Sequence, residues 1–244
     1  MAQSETGHAI NLANFIELAR YIESLGGKYN PSPDRLKSLN LNSVLSSATM
    51  AFEGLKTANA PYLATIAKRE ILFGREKTLL SRIAKTAEIF LINPTAMKAL
   101  KESVRKLRGT RATPKKIQEE LSEGEKPVVY RSVSQLSFDQ RINHFGDLIS
   151  LLEGQPEYTP NEEELTVVSL NNLLNEMKTI NMTVIDTNIS VTNARNTRNN
   201  ILYAPITGLV SIAQDVKKYL LGAFGQNSDE YKAVKKLQFR MKQV

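Results

Sequence analysis

The feature that most constrains this chain is that it is written twice. A stretch over residues 11–108 recurs, diverged but aligned, from Asp139 onward. Phe15 and Leu18 match Phe145 and Leu148, and Gly26, Tyr29 and Pro31 match Gly154, Tyr158 and Pro160. Leu36, Leu41, Val44 and Leu45 match Leu165, Leu170, Leu173 and Leu174 at a constant separation of 129. Asn59 and Arg69 pair with Asn188 and Arg198, and Ile71-Leu72-Phe73 with Ile201-Leu202-Tyr203 after a one-residue slip. Near the end Met97-Lys98-Ala99-Leu100-Lys101 faces Tyr231-Lys232-Ala233-Val234-Lys235. A match through roughly ninety positions with few slips reads as an internal duplication.

The pattern inside each copy is helical. Leu12, Phe15, Leu18, Ile22 and Leu25 fall at helical spacing, as do Phe138, Ile142, Phe145, Leu148, Ile149 and Leu152. Ser137 with Gln140 reads as a capping box, and Gly26 and Gly154 stand where a left-handed cap is wanted. Thr159-Pro160-Asn161-Glu162 and Ser32-Pro33 then read as the starts of long helices. Their seams step by three and four, through Leu41, Val44, Ala48, Ala51, Leu55, Ala58, Tyr62, Thr65, Arg69 and Leu72 in the first copy. In the second they run through Leu170, Leu173, Met177, Ile180, Val184, Thr187, Val191, Ala194, Arg198 and Ile201. A period near 3.5 is coiled-coil-like.

Such rods, at 1.5 Å per residue, are expected to set the long dimension of the molecule. Pro61 predicts a kink in the first rod, because an interior proline costs about 3 kcal/mol. Breaks are expected near Gly74 and near Ala204-Pro205, followed by a medium helix and then a short basic one.

The fold expected is therefore all-α, a helical-bundle architecture of two tandem homologous repeats, about four helices each with one rod-like helix per repeat. Residues 1–10 are expected to form a tail, 11–108 the first repeat, 109–136 a charged linker and 137–244 the second repeat. Val128-Val129-Tyr130 is too short to carry a sheet.

Composition narrows the chemistry. The chain has no Cys and two His among 244 residues, so thiol nucleophiles, disulfides and zinc-thiolate sites are excluded. No metal site and no cofactor is expected. No apolar run reaches the 18–20 residues, roughly, that a membrane helix needs, and no secretory signal stands at the start. A cytoplasmic protein is the expectation. Neither a phosphate loop, nor Glu-x-x-His pairs, nor a Ser/His/Asp set is present, so an enzyme is not expected.

A net charge of +7 points toward anionic partners. The fourth helix of the first copy sets Met97, Leu100, Val104 and Leu107 as an apolar stripe and Lys98, Lys101, Arg105 and Arg108 as a cationic one. In the second copy Tyr231, Val234, Leu237 and Met241 are expected to pack, leaving Lys232, Lys235, Lys236, Arg240 and Lys242 for solvent. With Lys115 and Lys116 of the linker these are the candidate polyanion-binding residues. The plainer account is a solvated face whose last-turn cations complement the helix dipole.

Arg69 and Arg198 occupy one seam position in both rods, either to hold an anion or carboxylate or to extend outward along their stems. The many Asn of the second rod, among them Asn172, Asn175 and Asn181, offer an uncharged polar face to a partner helix, to carbohydrate or to water. The first functional expectation is a non-catalytic scaffold or protein-interaction module, with protein partners or self-association. The alternative is sequence-independent binding of nucleic acid or an anionic surface through the fourth helices. A bundle-pocket enzyme or small-molecule carrier is the third.

Overall fold

The computed structural model describes residues 3–91, 93–110 and 136–241, and every regular element among them is a helix. In chain order these are α1 (Gln3–Leu25), α2 (Ser38–Phe90), α3 (Pro94–Arg108), α4 (Phe138–Glu153), α5 (Val167–Tyr203), α6 (Leu209–Phe224) and α7 (Asp229–Lys235). Short 3-10 turns at Asp34–Leu36 and Glu163–Leu165 lead into α2 and α5. No strand occurs among the described residues.

Two compact units divide the chain, and their boundaries cut across the two repeats expected from the sequence. One consists of Met1–Tyr62 with Thr187–Val244, the other of Leu63–Asp186. In the first, Phe15, Leu18 and Leu41 bury against Leu209, Val216 and Leu237. In the second, Leu80, Leu100 and Leu107 bury against Phe145, Leu170 and Met177. Each core thus joins helices from residues 3–108 with helices from residues 138–241. Each large apolar side chain removed from water contributes about 1.5–3 kcal/mol, so both parts of the chain stabilise each core.

Similar contacts occur in both units. Tyr29 donates its hydroxyl to the Leu36 carbonyl at 2.8 Å and stands edge-on to Tyr219, with centroids 5.2 Å apart. Tyr158, 129 residues later, donates to Leu165 at 3.0 Å and stands edge-on to Phe90 at 5.9 Å. His8 meets Tyr203 at 5.5 Å in the first unit, and Phe138 meets Phe73 at 4.8 Å in the second. Ion pairs from the 3-10 turns carry opposite signs in the two units: Arg35 with Asp215 at 3.0 Å, and Glu164 with Arg82.

Local chemistry corrects several sequence expectations. The first rod does not break at Gly74, and α2 continues unbroken past both Pro61 and Gly74 to Phe90. Glycine inside a helix costs only about 1 kcal/mol, and the buried Glu76 two residues on is held by Arg141 of α4. The second rod does break, at Tyr203, because Pro205 lacks an amide hydrogen and Gly208 folds tightly onto α5. A Cβ on Gly208 would meet the nitrogen and oxygen of Ala204 at 2.5 Å. Among the described residues, 3–108 accordingly hold three α-helices and 138–241 four, not the four each that the sequence suggests.

The rods also start later than the prolines suggest. Pro33 and Glu162 precede the 3-10 turns, whose buried Leu36 and Leu165 are tied by the tyrosine hydroxyls. The hydroxyl that caps α5 belongs to Thr166, which accepts the Ser169 amide at 3.2 Å. Ser137 accepts the Gln140 amide as expected, and Gly26 is left-handed with φ 53°. Gly154 instead keeps right-handed helical angles, its amide bonded to Ser150. Residues expected as a tail are helical from Gln3, and His8 is buried against Tyr203.

Candidate functional site

The basic helix α3 is fixed at both ends by its own sequence. Asn93 accepts the Thr95 amide at 2.8 Å, and Pro94 occupies the first turn, where its missing hydrogen is harmless. At the other end Gly109 adopts φ 69°, so that its amide reaches Lys106 and that of Thr110 reaches Arg105. Leu100, Val104 and Leu107 are buried and Met97 is partly so. This packing turns the cationic stripe outward: Lys98, Lys101 and Arg108 are exposed and Arg105 is half-buried.

Three of these cations line one cleft of about 340 Å³ between α3 and the end of α2. Lys101, Arg105 and Arg108 face Ser81, Lys85 and Glu88 across it, with Thr110 at the rim. Arg108 donates to the Ser81 hydroxyl at 2.8 Å, and Arg105 to the Thr110 carbonyl at 2.8 Å. Glu88 is bonded by Lys85 at 2.9 Å, and first this bond, then the Lys85 charge, holds its carboxyl below the usual range. Lys98 is not part of the lining.

The second basic helix builds no counterpart stripe. α7 ends at Lys235, and Lys217 of α6 closes it by donating to the carbonyls of Lys235 and Leu237 at 3.2 and 2.9 Å. Burial holds the Lys217 ammonium below its ordinary pKa. Beyond α7 the chain is held along α1. Asn11 donates to the Arg240 carbonyl at 2.8 Å and accepts its amide at 2.9 Å, while Asn14 donates to Gln238. Met241, expected to pack, is 55% exposed because the helix that would have turned it inward has stopped. Lys232, Lys235, Lys236 and Arg240 are exposed, but the helix stops before Arg240 and Lys236 pairs with Glu17 at 3.3 Å. Lys115, Lys116 and Lys242 lie outside the described residues.

The seam arginines part company. Arg69 stacks its guanidinium 3.8 Å over the Phe138 ring and donates to Asn181 at 3.2 Å, while Asn181 donates to Asp139 at 2.8 Å. Arg198 is 6% exposed and bonds the Asn199 side chain. Arg69 thereby reaches a carboxylate through an amide, so its role on α2 is to secure α4 and α5. Most other Asn of α5 are solvated. Leu72, Asn172, Asn175 and Ile180 line an open depression of about 530 Å³.

Sequence reading missed Ser81, Lys85 and Glu88. Their spacing of four and three along one helix was a usable signal, but only once α3 is known to lie beside it. It also missed the buried Glu76 and Arg141. Arg141 donates to Glu76 and to the Phe73 carbonyl, and burial, outweighing Arg141, pushes the Glu76 carboxyl above its ordinary pKa. Among the described residues no helix is long and apolar enough to cross a membrane. Compared with protein-family models, with curated proteins and with solved structures, the chain finds no match.

Proposed function

We propose that this chain is an internal duplication folded as a non-catalytic helical scaffold that presents its long helices to protein partners. Support for the duplication comes from the tyrosine hydroxyl bonds and aromatic pairs that recur 129 or 130 residues apart. The observation that carries the scaffold reading is the division of labour along α2 and α5. Their buried polar groups, Glu76 and Asn181, are engaged in holding helices together. Large apolar side chains meanwhile stand in solvent: Leu63 and Ile71 on α2, and Met182 and Ile185 on α5, are each at least 45% exposed. Exposed apolar residues on stable helices suit a partner surface.

The test compares the native chain with a Met182→Gln, Ile185→Gln variant of unchanged helicity in affinity capture and sedimentation. Partners or self-association retained by the native chain and lost by the variant support the scaffold. Identical behaviour of the two would overturn it. One observation favours the alternative, sequence-independent binding of a phosphate-bearing polymer: the gathering of α3 cations around one cleft. For that reading only α3 supplies an aligned stripe.

A further inference from the structure

We propose that the cleft between α2 and α3 is a binding site for a phosphate-type oxyanion, with Arg108, Arg105 and Lys101 as its cationic donors and the Ser81 hydroxyl as its neutral one. The inference deepens the phosphate-polymer reading, on which it rests, by confining that activity to a single built site.

Positioning without neutralisation is what distinguishes this cluster from an ordinary solvated face. The Arg108 guanidinium is held at 2.8 Å by a hydroxyl, which fixes its direction without offsetting its charge. Ser81 accepts from Arg108 there, so its own O–H proton points away from the guanidinium. Arg105 is held by the Thr110 carbonyl, also neutral, and its ion pair with Glu102 is long, at 3.9 Å, that carboxylate being shared with Lys106 at 3.7 Å. Lys101 has no carboxylate in ion-pair contact among the described residues. The one carboxylate that lines the cleft, Glu88, is already bonded by Lys85. Four cations against one carboxylate leave an excess of three positive charges around the space.

Shape agrees with charge. Guanidinium groups present parallel donors that match the oxygens of phosphate, and two from successive turns of α3 converge with a lysine and a hydroxyl. A space of 340 Å³ corresponds to about ten water volumes, enough for a tetrahedral anion and part of its hydration shell. The left-handed cap at Gly109 ties up the carbonyls of Arg105 and Lys106, so the negative end of α3 is partly masked from an incoming anion.

The experiment titrates the full chain at low salt with inorganic phosphate by calorimetry and, in a separate arm, with duplex DNA at several salt concentrations. Arg108→Gln, Ser81→Ala and the control Lys56→Gln, at an exposed lysine of α2 outside the cleft, are compared, each with its circular-dichroism spectrum. Arg108→Gln should weaken phosphate binding by about tenfold or more, the loss of a charge-assisted bond. Ser81→Ala removes no charge and should still weaken it severalfold, which diffuse attraction would not explain, while the control changes nothing. Should Arg108→Gln fail to fold, Arg108→Lys keeps the charge, loses the fork and must weaken phosphate binding too. No phosphate binding by the native chain, or binding indifferent to Arg108 and Ser81, overturns the site. Duplex binding whose salt slope ignores Arg108 removes the site but leaves the polymer reading. Phosphate binding without duplex binding keeps the site and removes the polymer reading.

Discussion

Tyr158 donates its phenolic hydrogen to the Leu165 carbonyl across seven residues, and Tyr29 does the same to Leu36 in the other unit. Each bond pulls a 3-10 turn inward, buries its leucine and aims the chain into a long helix. The ring against which each tyrosine stands comes from a helix distant in the chain, Phe90 of α2 for Tyr158 and Tyr219 of α6 for Tyr29. The turn that starts each rod is therefore completed by a remote segment of the chain.

Burial gives these phenols a signature in alkali. The Tyr158 hydroxyl is pushed up to about 12 by loss of water, and Tyr29 is raised by burial as well. A raised folded pKa means stability that is intact below about pH 10, the ordinary value, and lost as pH rises toward the folded one. Tyr158→Phe should cost about 1–2 kcal/mol at neutral pH by leaving the Leu165 carbonyl unpaired. It should also flatten the decline between pH 10 and 12 in urea melts. A decline of unchanged steepness would assign the alkaline transition elsewhere.

Cutting the chain within residues 109–136 should not separate its two parts. Trypsin is expected to cleave first in the charged segment 109–136, at sites such as Arg111, Lys115 and Lys116. Because Phe15 shares a core with Val216, and Leu100 shares one with Phe145, each fragment completes both units. The nicked protein should elute as one species from size exclusion in buffer and as two in denaturant. Two separate folded fragments in buffer would contradict the shared cores.

What the sequence made legible was whatever depends on neighbours in the chain. The stripe of Leu100, Val104 and Leu107, the Asn93-Pro94 start and the stop at Pro205 are local periodicity and cap chemistry, and α3 and α5 obey them. The stop of α7 was illegible because its cause is remote. Asn11 lies 229 residues from Arg240, yet its amide supplies the partners that an extended Arg240 backbone needs. Gly74 misled for the opposite reason, since it resembles a break yet costs a helix little, and Glu76 and Arg141 hold the turn closed. The cleft was half legible: its cations showed in the stripe of α3, but Ser81 and Glu88 belong to a helix that only tertiary packing brings alongside.

The turn that breaks the second rod holds measurable strain. Ile206 adopts φ 66°, a conformation costing a β-branched residue about 1–2 kcal/mol, and its side chain is 67% exposed, so little burial offsets it. Ile206→Asn should raise stability by about 0.5–1 kcal/mol, because asparagine tolerates the left-handed region. Gly208→Ala should do the reverse, its methyl meeting the Ala204 backbone at 2.5 Å. Thermal melts of the two variants moving in the same direction would refute this account of the turn.

The buried pair of Glu76 and Arg141 yields the sharpest test of what holds the second unit. Glu76 is fully buried, one of its oxygens has no partner, and burial outweighs Arg141 in raising its pKa. A carboxyl whose folded pKa is raised takes up a proton more readily when folded. Its contribution is thus favourable below the ordinary carboxyl range and declines as pH climbs through the raised value. Arg141→Met strands the carboxylate and should cost about 3–5 kcal/mol at pH 7, with part of the loss recovered near pH 4 as Glu76 is protonated. Glu76→Leu combined with Arg141→Met replaces the pair by apolar packing and should be at least as stable as the native chain at pH 7. The readout is the urea transition of the second unit, followed by a probe on α4. If the double variant is as damaged as Arg141→Met alone, the pair contributes a specific geometry between α2 and α4 that apolar contact cannot replace, and the account of an ion pair dominated by its own desolvation is wrong.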